Sequence, residues 1–424
     1  MATAHSGEPT WFGQPRGLTI LFLTNMWEQF SYYGMRALLV YYMTKELLFA
    51  QEYSSFVYGA YTACAYFTPI VGGVIADRCL GKRRAIIIGA SVMATGHFMM
   101  AFEPLFYPAL ATIALGNGLF LPSLPSQIDD LYEREDPRRS WAYNVYYVGI
   151  NIGGFLAPLI CGTLGEVYGW HRGFGAAGIG MVVGLVIYLW GQKYLPAQRV
   201  GMVALGAVDQ SSREPFSRPL VALLVGIALA VTVFRGAYEQ VGNTLALWAD
   251  TGIDRTAGAL VIPMTWFQSL NPLMVMLMTP ALLAWWSRKS APVSRAALTY
   301  RMAMGSFIVA LAYGVLGAVE LITGDAPASW MWLALFFVIF TFGEIFILPT
   351  GLGIFARLAP AGQGATTVAS WYFVIFLGSL FAGLIGTLWG GMAHAAFFFL
   401  LSGLGVASAV LLVLLQKPLD RLDG

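Results

Sequence analysis

Long apolar runs separated by short polar joints dominate the chain. They cover approximately residues 17–46, 51–79, 83–102, 105–131, 141–166, 173–191, 219–249, 258–286, 295–322, 329–356, 362–391 and 393–415. Each is close to or beyond the roughly 20 apolar residues that cross a bilayer as a helix. The pattern therefore predicts an all-α membrane protein of twelve transmembrane helices. The one long polar break, 192–218 (QKYLPAQRVGMVALGAVDQSSREPFSR), holds a short, weakly apolar run. It predicts a cytoplasmic linker between an N-terminal six-helix half, 1–191, and a C-terminal six-helix half, 219–424.

The first segment departs from a plain membrane helix. Between Phe22 and Thr44 (FLTNMWEQFSYYGMRALLVYYMT) it carries Asn25, Glu28, Gln29, Tyr32, Tyr33 and Arg36. At helical spacing, positions 25, 28, 29, 32 and 36 share one face. A charge facing hydrocarbon costs at least a few kcal/mol, so this stripe is expected to face protein or water.

Composition agrees with the pattern. The chain of 424 residues is 58% hydrophobic and only 11% charged, against about 25% charged in soluble domains. The lipid bilayer is thus an expected partner, and a net charge of +2 gives no sign of nucleic acid. Cys64, Cys79 and Cys161 lack metal-ligand spacing and read as packing residues. No nucleophile–base pair or metal-ligand cluster stands out, so no catalytic residue, metal or cofactor is expected. The first residues, MATAHSGEPTWFGQPRG, lack the layout of a cleaved signal and read as a short tail. With the N-terminus inside, nineteen of the 24 basic residues fall on the inner side. Lys45, Arg172 and Arg255 fall outside, and Arg36 and Arg235 lie within the membrane. The positive-inside rule then predicts both termini in the cytoplasm.

The polar residues inside other segments gather at one expected depth. Glu344, Asn151, Asn271 and Arg235 fall within about two residues, or roughly 3 Å, of their segment midpoints. Arg36 and Glu239 fall about 7 Å toward the outer side. Glu and Arg at such depths are functional by default because of their cost. Asn151 and Asn271 are equally readable as glue between helices. Without the motif Tyr32, Tyr33 and Tyr66 read as packing or belt residues, and Trp371 reads by type as packing.

Several motifs together resemble the proton-dependent oligopeptide transporters, a family of the major facilitator superfamily. The first segment is similar to the family's Glu-x-x-Glu-Arg-Phe, one variable residue, then Tyr-Tyr-Gly, through Glu28, Phe30, Tyr32, Tyr33 and Gly34. GGVIADRCLGKRR, from Gly72 to Arg84, resembles the inner loop of major facilitators and implies an inner gate with Asp77, Arg78 and Lys82. Tyr66 in YTACAYFTPIVGG, Asn151 in YYVGINIGGFLAP, Glu239 in YEQVGNTLALWA, Asn271 in QSLNPL and Glu344 in GEIFILPTGL extend the resemblance over nearly the whole chain. Trp371 joins them on the eleventh segment.

The resemblance implies a major facilitator fold and secondary active transport of di- or tripeptides, or a related small zwitterion, by alternating access. It implies that Tyr32, Tyr33, Arg36, Tyr66, Asn151, Asn271, Glu344 and Trp371 surround the cargo. Arg36 offers a planar fork to a carboxylate, and Glu344 with the two asparagines offers acceptors to an ammonium. Glu28, Arg36, Arg235 and Glu239 are the candidates for proton coupling and gating, with Arg36 and Glu239 the implied outer pair. Arg235, four residues before Glu239, is expected to join them as a cluster.

Three departures qualify this picture. Asn25 and Gln29 stand where the family has an acid and a base, and Leu121 stands where it has another base. They leave open whether protons drive transport through Glu28, Glu239, another residue, or not at all. Bacterial family members commonly have two further helices between the halves, for which 192–218 is too short. The alternatives are a same-fold transporter of a non-peptide metabolite or drug, and a non-transporting receptor. A bacterial inner membrane is the expected location.

Overall fold

A computed structural model describes residues 10–133, 136, 138–196, 216–287, 295–324, 326–360 and 364–423. The long helices follow the apolar runs: α1 (Arg16–Tyr41), α2 (Gln51–Ile75), α3 (Lys82–Met99), α4 (Phe106–Asp129) and α5 (Arg138–Ala157), continued by the short α6 (Thr163–Tyr168). Next come α7 (Trp170–Gly191), α8 (Arg218–Tyr238) with the short α9 (Thr244–Thr251), α10 (Leu270–Ser287), α11 (Arg295–Thr323), α12 (Trp330–Arg357), α13 (Gly364–Gly386) and α14 (His394–Leu414). A last short helix, α15, spans Gln416–Asp423. Among the described residues, ten helical runs are long and apolar enough to cross a membrane. The other two predicted spans are α1, with its polar stripe, and α3, which opens on Lys82, Arg83 and Arg84. Most of the predicted linker lies outside the described residues.

The chain divides into two compact units. Unit one comprises residues up to Met35 together with Thr68–Ala204; unit two comprises Arg36–Phe67 together with Leu205–Gly424. The boundary thus falls inside α1 and α2, so the end of α1 and the first part of α2 pack with helices from the C-terminal part of the chain.

Both units turn large apolar side chains outward, as a bilayer allows. On α7, Ile179, Val182, Val186 and Leu189 are exposed at three- and four-residue spacing, and on α8 so are Val221, Val225 and Leu229. Inside, unit one packs Met93, Phe120, Met181 and Tyr188, whereas unit two packs Trp248, Tyr313, Phe336, Phe340 and Phe398.

Close approach of backbones replaces the hydrophobic effect as the cement between helices in lipid. In unit one, a Cβ added to Gly89 of α3 would lie 2.7 Å from the Gly116 carbonyl of α4, and a Cβ on Gly116 would lie 2.7 Å from the Gly89 carbonyl. In unit two, a Cβ on Gly59 of α2 would run into the Gly383 backbone of α13. Gly59→Val is therefore expected to cost about 1–3 kcal/mol by overpacking. Thermal unfolding in detergent checks this, with exposed Val225→Ala as the control; equal melting of the two variants would remove Gly59 from the contact.

Two expectations need correction. Cys161 packs in the core, where its Sγ would lie 2.7 Å from a Cβ on Gly34. Cys64 and Cys79, however, are exposed, because α2 turns Cys64 outward and Cys79 sits in the π-helical turn Ala76–Leu80 that ends it. The seventh apolar run is also not one continuous helix. It breaks at a 3-10 turn, Glu239–Gly242, between α8 and α9. Side chains take up polar groups at the break: Gln240 Nε2 donates to the carbonyls of Gly236 (2.9 Å) and Ala382 (2.8 Å), and Thr244 Oγ1 donates to Gln240 Oε1 (3.0 Å). Irregular backbone at membrane depth needs such compensation.

Candidate functional site

The break in the seventh run places Glu239 where α8 ends. A helix C-terminus carries partial negative charge, so a carboxylate there needs cations. Glu239 has two. Arg235, one turn back, donates from Nη2 to Glu239 Oε1, and Arg36, at the end of α1, donates from Nη2 to Glu239 Oε2. Both partners of the first pair are almost fully buried, at 2% and 1% exposure. The expected three-member cluster is therefore present in unit two, with one guanidinium on each carboxylate oxygen.

Neighbouring elements fix both cations. Arg36 Nε donates to the Tyr58 hydroxyl of α2 at 2.6 Å, and its guanidinium lies 5.6 Å from the Tyr58 ring centre. Arg235 Nη2 also donates to Ser379 Oγ of α13 at 3.0 Å. The rings of Tyr66 and Tyr238 lie 5.1 and 5.2 Å from its guanidinium carbon, within range for cation–π attraction. Tyr66, a cargo candidate from the sequence, thus presents its ring to a cation of the protein itself.

Tyr238 extends the network toward α12. Its hydroxyl donates to Glu344 Oε1 at 2.7 Å, and its ring stacks on Phe340. Asn271, at the start of α10, donates to Glu344 Oε2 at 2.5 Å and to Thr341 Oγ1 at 3.0 Å. Glu344 has no ion-pair partner among the described residues, but Arg235 and Glu239 both lie within its electrostatic reach. Arg36, Tyr66, Arg235, Glu239, Asn271 and Glu344 accordingly form one connected polar network in unit two. Tyr58, Tyr238 and Ser379 belong to it and were missed from the sequence. The usable signal was that Tyr238 follows Arg235 by three residues and so shares its face.

Trp371 does not join the network. It is buried edge-on to Phe355, 5.2 Å between ring centres, beneath Gly351.

In unit one, Glu28 is buried, and its Oε2 accepts from Gln29 Nε2 at 2.7 Å. Asn25 donates to the Tyr146 carbonyl of α5 at 3.2 Å. The rings of Tyr32 and Tyr33 meet edge to face at 5.5 Å. Asn151 donates to the Tyr147 carbonyl one turn back in its own helix, at 2.9 Å. At the α2–α3 junction, Lys82 Nζ donates to Asp130 (2.8 Å) and to the Ser126 carbonyl (3.0 Å) of α4. Asp77 and Arg78 are exposed and form no ion pair with a described residue. Further along that surface, Asp129 of α4 accepts from Arg139 (2.8 Å) and Tyr143 (2.7 Å) of α5.

Comparison with known proteins adds to this geometry. The model of the POT family matches residues 83–212 and 215–397. A di-/tripeptide transporter of Lactococcus lactis subsp. lactis (strain IL1403) is 28% identical, with 100% of this chain and 99% of the relative covered. That alignment runs over 499 positions, more than the 424 residues present here, so the relative carries segments this chain lacks. An uncharacterised transporter, YclF, of Bacillus subtilis (strain 168) is 29% identical over 97% of this chain and 95% of its own. Among solved structures, a mutant of the peptide transporter POT in complex with sulfate superposes with a TM-score of 0.90 at 26% identity, covering 98% of this chain and 97% of that one.

Proposed function

Since the chain belongs to the POT family of membrane transporters, with its all-α major facilitator fold, we propose that it carries di- and tripeptides, or a related small zwitterion, by alternating access. One observation carries this reading. Within unit two a carboxylate, Glu344, is held by neutral donors from two helices and lacks an ion pair among the described residues, while Arg36 sits in the same network. A zwitterion needs that combination: an acceptor for its ammonium and a fork for its carboxylate. The name of the Lactococcus relative, a di-/tripeptide transporter, supports the same cargo.

In this reading Arg36 takes the cargo carboxylate, and Glu344 with Asn271 takes the ammonium. Tyr66 lies in the same network beside Arg235, and Tyr32, Tyr33, Asn151 and Trp371 are the remaining cargo candidates that the resemblance implies. Arg36, Glu239, Arg235 and Tyr58 form the gate on the outer side. Asp77, Arg78 and Lys82 serve the inner side, where Lys82 already has Asp130 as a partner. The positive-inside count supports cytoplasmic termini, and a bacterial inner membrane is the proposed location. Glu28 is the proposed proton carrier of the α1 stripe.

The test is counterflow of labelled dialanine into liposomes holding the purified protein and loaded with unlabelled peptide. Entry is expected, with competition by di- and tripeptides and none by free alanine. Equal competition by the free amino acid, or no entry, overturns the peptide reading. Glu344→Gln is expected to abolish entry.

A further inference from the structure

The two cations on Glu239 reach it by different routes. Arg36 stands on α1 and is tied to Tyr58 of α2. Arg235 stands on the helix that ends at Glu239, four residues back, so movement of α8 carries acid and base together. Helix α13 is shaped around Arg235. A Cβ on Gly378 would lie 2.5 Å from Arg235 Cβ and 3.0 Å from Cγ, and the next residue, Ser379, accepts from the guanidinium at 3.0 Å. Tyr66 and Tyr238 present their rings to it. Arg235 is buried, and among the described residues its Nε has no hydrogen-bond partner and Glu239 supplies its only ion pair.

Consider what remains when Arg36 lets go. In a simple buried pair the abandoned carboxylate is a lone charge, and taking up a proton removes it. Here the abandoned carboxylate keeps Arg235. A proton on Glu239 would strand the Arg235 charge instead, which is no cheaper in the membrane interior. The groups around the Arg235–Glu239 pair lead to the same conclusion. They are Arg36 from α1, Tyr58 and Tyr66 from α2, Arg235 and Tyr238 from α8, Tyr313 from α11, Glu344 from α12 and the Ser379 hydroxyl from α13. The other acid in this set, Glu344, accepts from Tyr238 and Asn271 and forms no ion pair with Arg235 that would replace Glu239.

We propose that Arg235 is a positioning residue that keeps Glu239 a carboxylate when Arg36 releases it. The Arg36–Glu239 contact then opens and closes without exchanging a proton, and the cargo carboxylate is the anion that draws Arg36 away. This rests on the transport reading given above. It assigns Arg235 a task that neither the helix motif nor ordinary packing requires.

The test is an infrared titration of the full chain in liposomes, recorded as difference spectra between about pH 5 and about pH 8. Subtracting the Glu239→Asp variant from the wild type isolates the band of this side chain, and Glu239→Gln gives a second assignment. No protonated-carboxyl band from position 239 is expected in the wild type or in Arg36→Ala, where the release is imposed. With Arg235→Gln in the Arg36→Ala background such a band is expected in the acid half of the range, and Arg235→Lys in that background is expected to suppress it again. A protonated band at 239 in Arg36→Ala with Arg235 in place, or its absence in the double variant of Arg36→Ala with Arg235→Gln, overturns the proposal. This readout does not depend on transport, so failed dialanine counterflow would reject the peptide reading while the titration still decides the role of Arg235. Where counterflow succeeds, its rate in Arg235→Gln is expected to acquire a pH dependence that the wild type lacks at this step.

Discussion

Replacing Glu239 with alanine is expected to lower stability by about 3–5 kcal/mol, because it leaves buried guanidinium charge uncompensated. The effect should be large because Arg235 is 2% exposed and has no second ion pair among the described residues. Neither arginine can shed its proton to escape the cost. Removing both partners of the i,i+4 pair tests the cause. Arg235→Leu with Glu239→Leu leaves only Arg36 to be resolved, and Arg36 reaches the less buried end of the cluster, with a side chain 12% exposed. The double variant is therefore expected to melt above Glu239→Ala, although two residues have changed. Denaturation of the purified protein in detergent checks both, with the exposed Arg78→Ala as the control. If Glu239→Ala melts with the wild type, the cluster contributes nothing to stability. If the double variant loses the sum of what Arg235→Leu and Glu239→Leu each lose alone, the residues are not coupled.

Arg36→Ala is expected to have the second-largest effect, on binding rather than folding. Leu121 and Gln29 stand where the resemblance leads one to expect bases. That leaves Arg36 as the basic residue of the α1 stripe for a cargo carboxylate. A charge-assisted hydrogen bond contributes about 1.5–3 kcal/mol, or roughly 10- to 150-fold in affinity. The loss is expected for a dipeptide with a free carboxylate and not for its C-terminal amide. Titration of both ligands into wild type and variant separates the cases. Equal losses for acid and amide would place Arg36 in the gate alone.

Much of the fold was legible from hydrophobicity alone, since a membrane helix announces itself in a run of about 20 residues. The break at Glu239–Gly242 was not, because hydropathy averages over it; Leu245, Ala246 and Trp248 keep the run apolar beyond the turn. Gly242 and Asn243 marked the place in the sequence. The site was legible where the partners are local or expensive. Arg235 and Glu239 stand one turn apart, and each is costly enough in lipid to require a partner. Tyr58, Tyr238 and Ser379 were not legible, because a hydroxyl on a membrane helix is inexpensive and gives no sign of its partner. Asn151 and Asn271 read alike in the sequence, yet one donates to its own helix and the other to Glu344. That difference lies in side-chain direction. Trp371 is a cargo candidate by resemblance alone, and nothing in the sequence pointed to Phe355 and Gly351 as its neighbours.

The membership of unit two has a bearing on how the chain is made. Arg36–Phe67 leave the ribosome early, but their partners follow much later: Glu239 for Arg36 after 203 residues, Asn243 for Ser55 after 188 and the Gly386 carbonyl for Gln51 after 335. At about 5–20 residues per second, Arg36 waits roughly 10–40 s for its counter-ion and Gln51 roughly 20–70 s for its acceptor. During that interval a cation of the first helix stands within or beside the membrane without the group that later neutralises it. The nascent chain cannot complete one unit before starting the other. Its second unit closes only after α13 and α14 have arrived, so a ribosome stalled in the linker would hold a chain whose first two helices are inserted but only half packed.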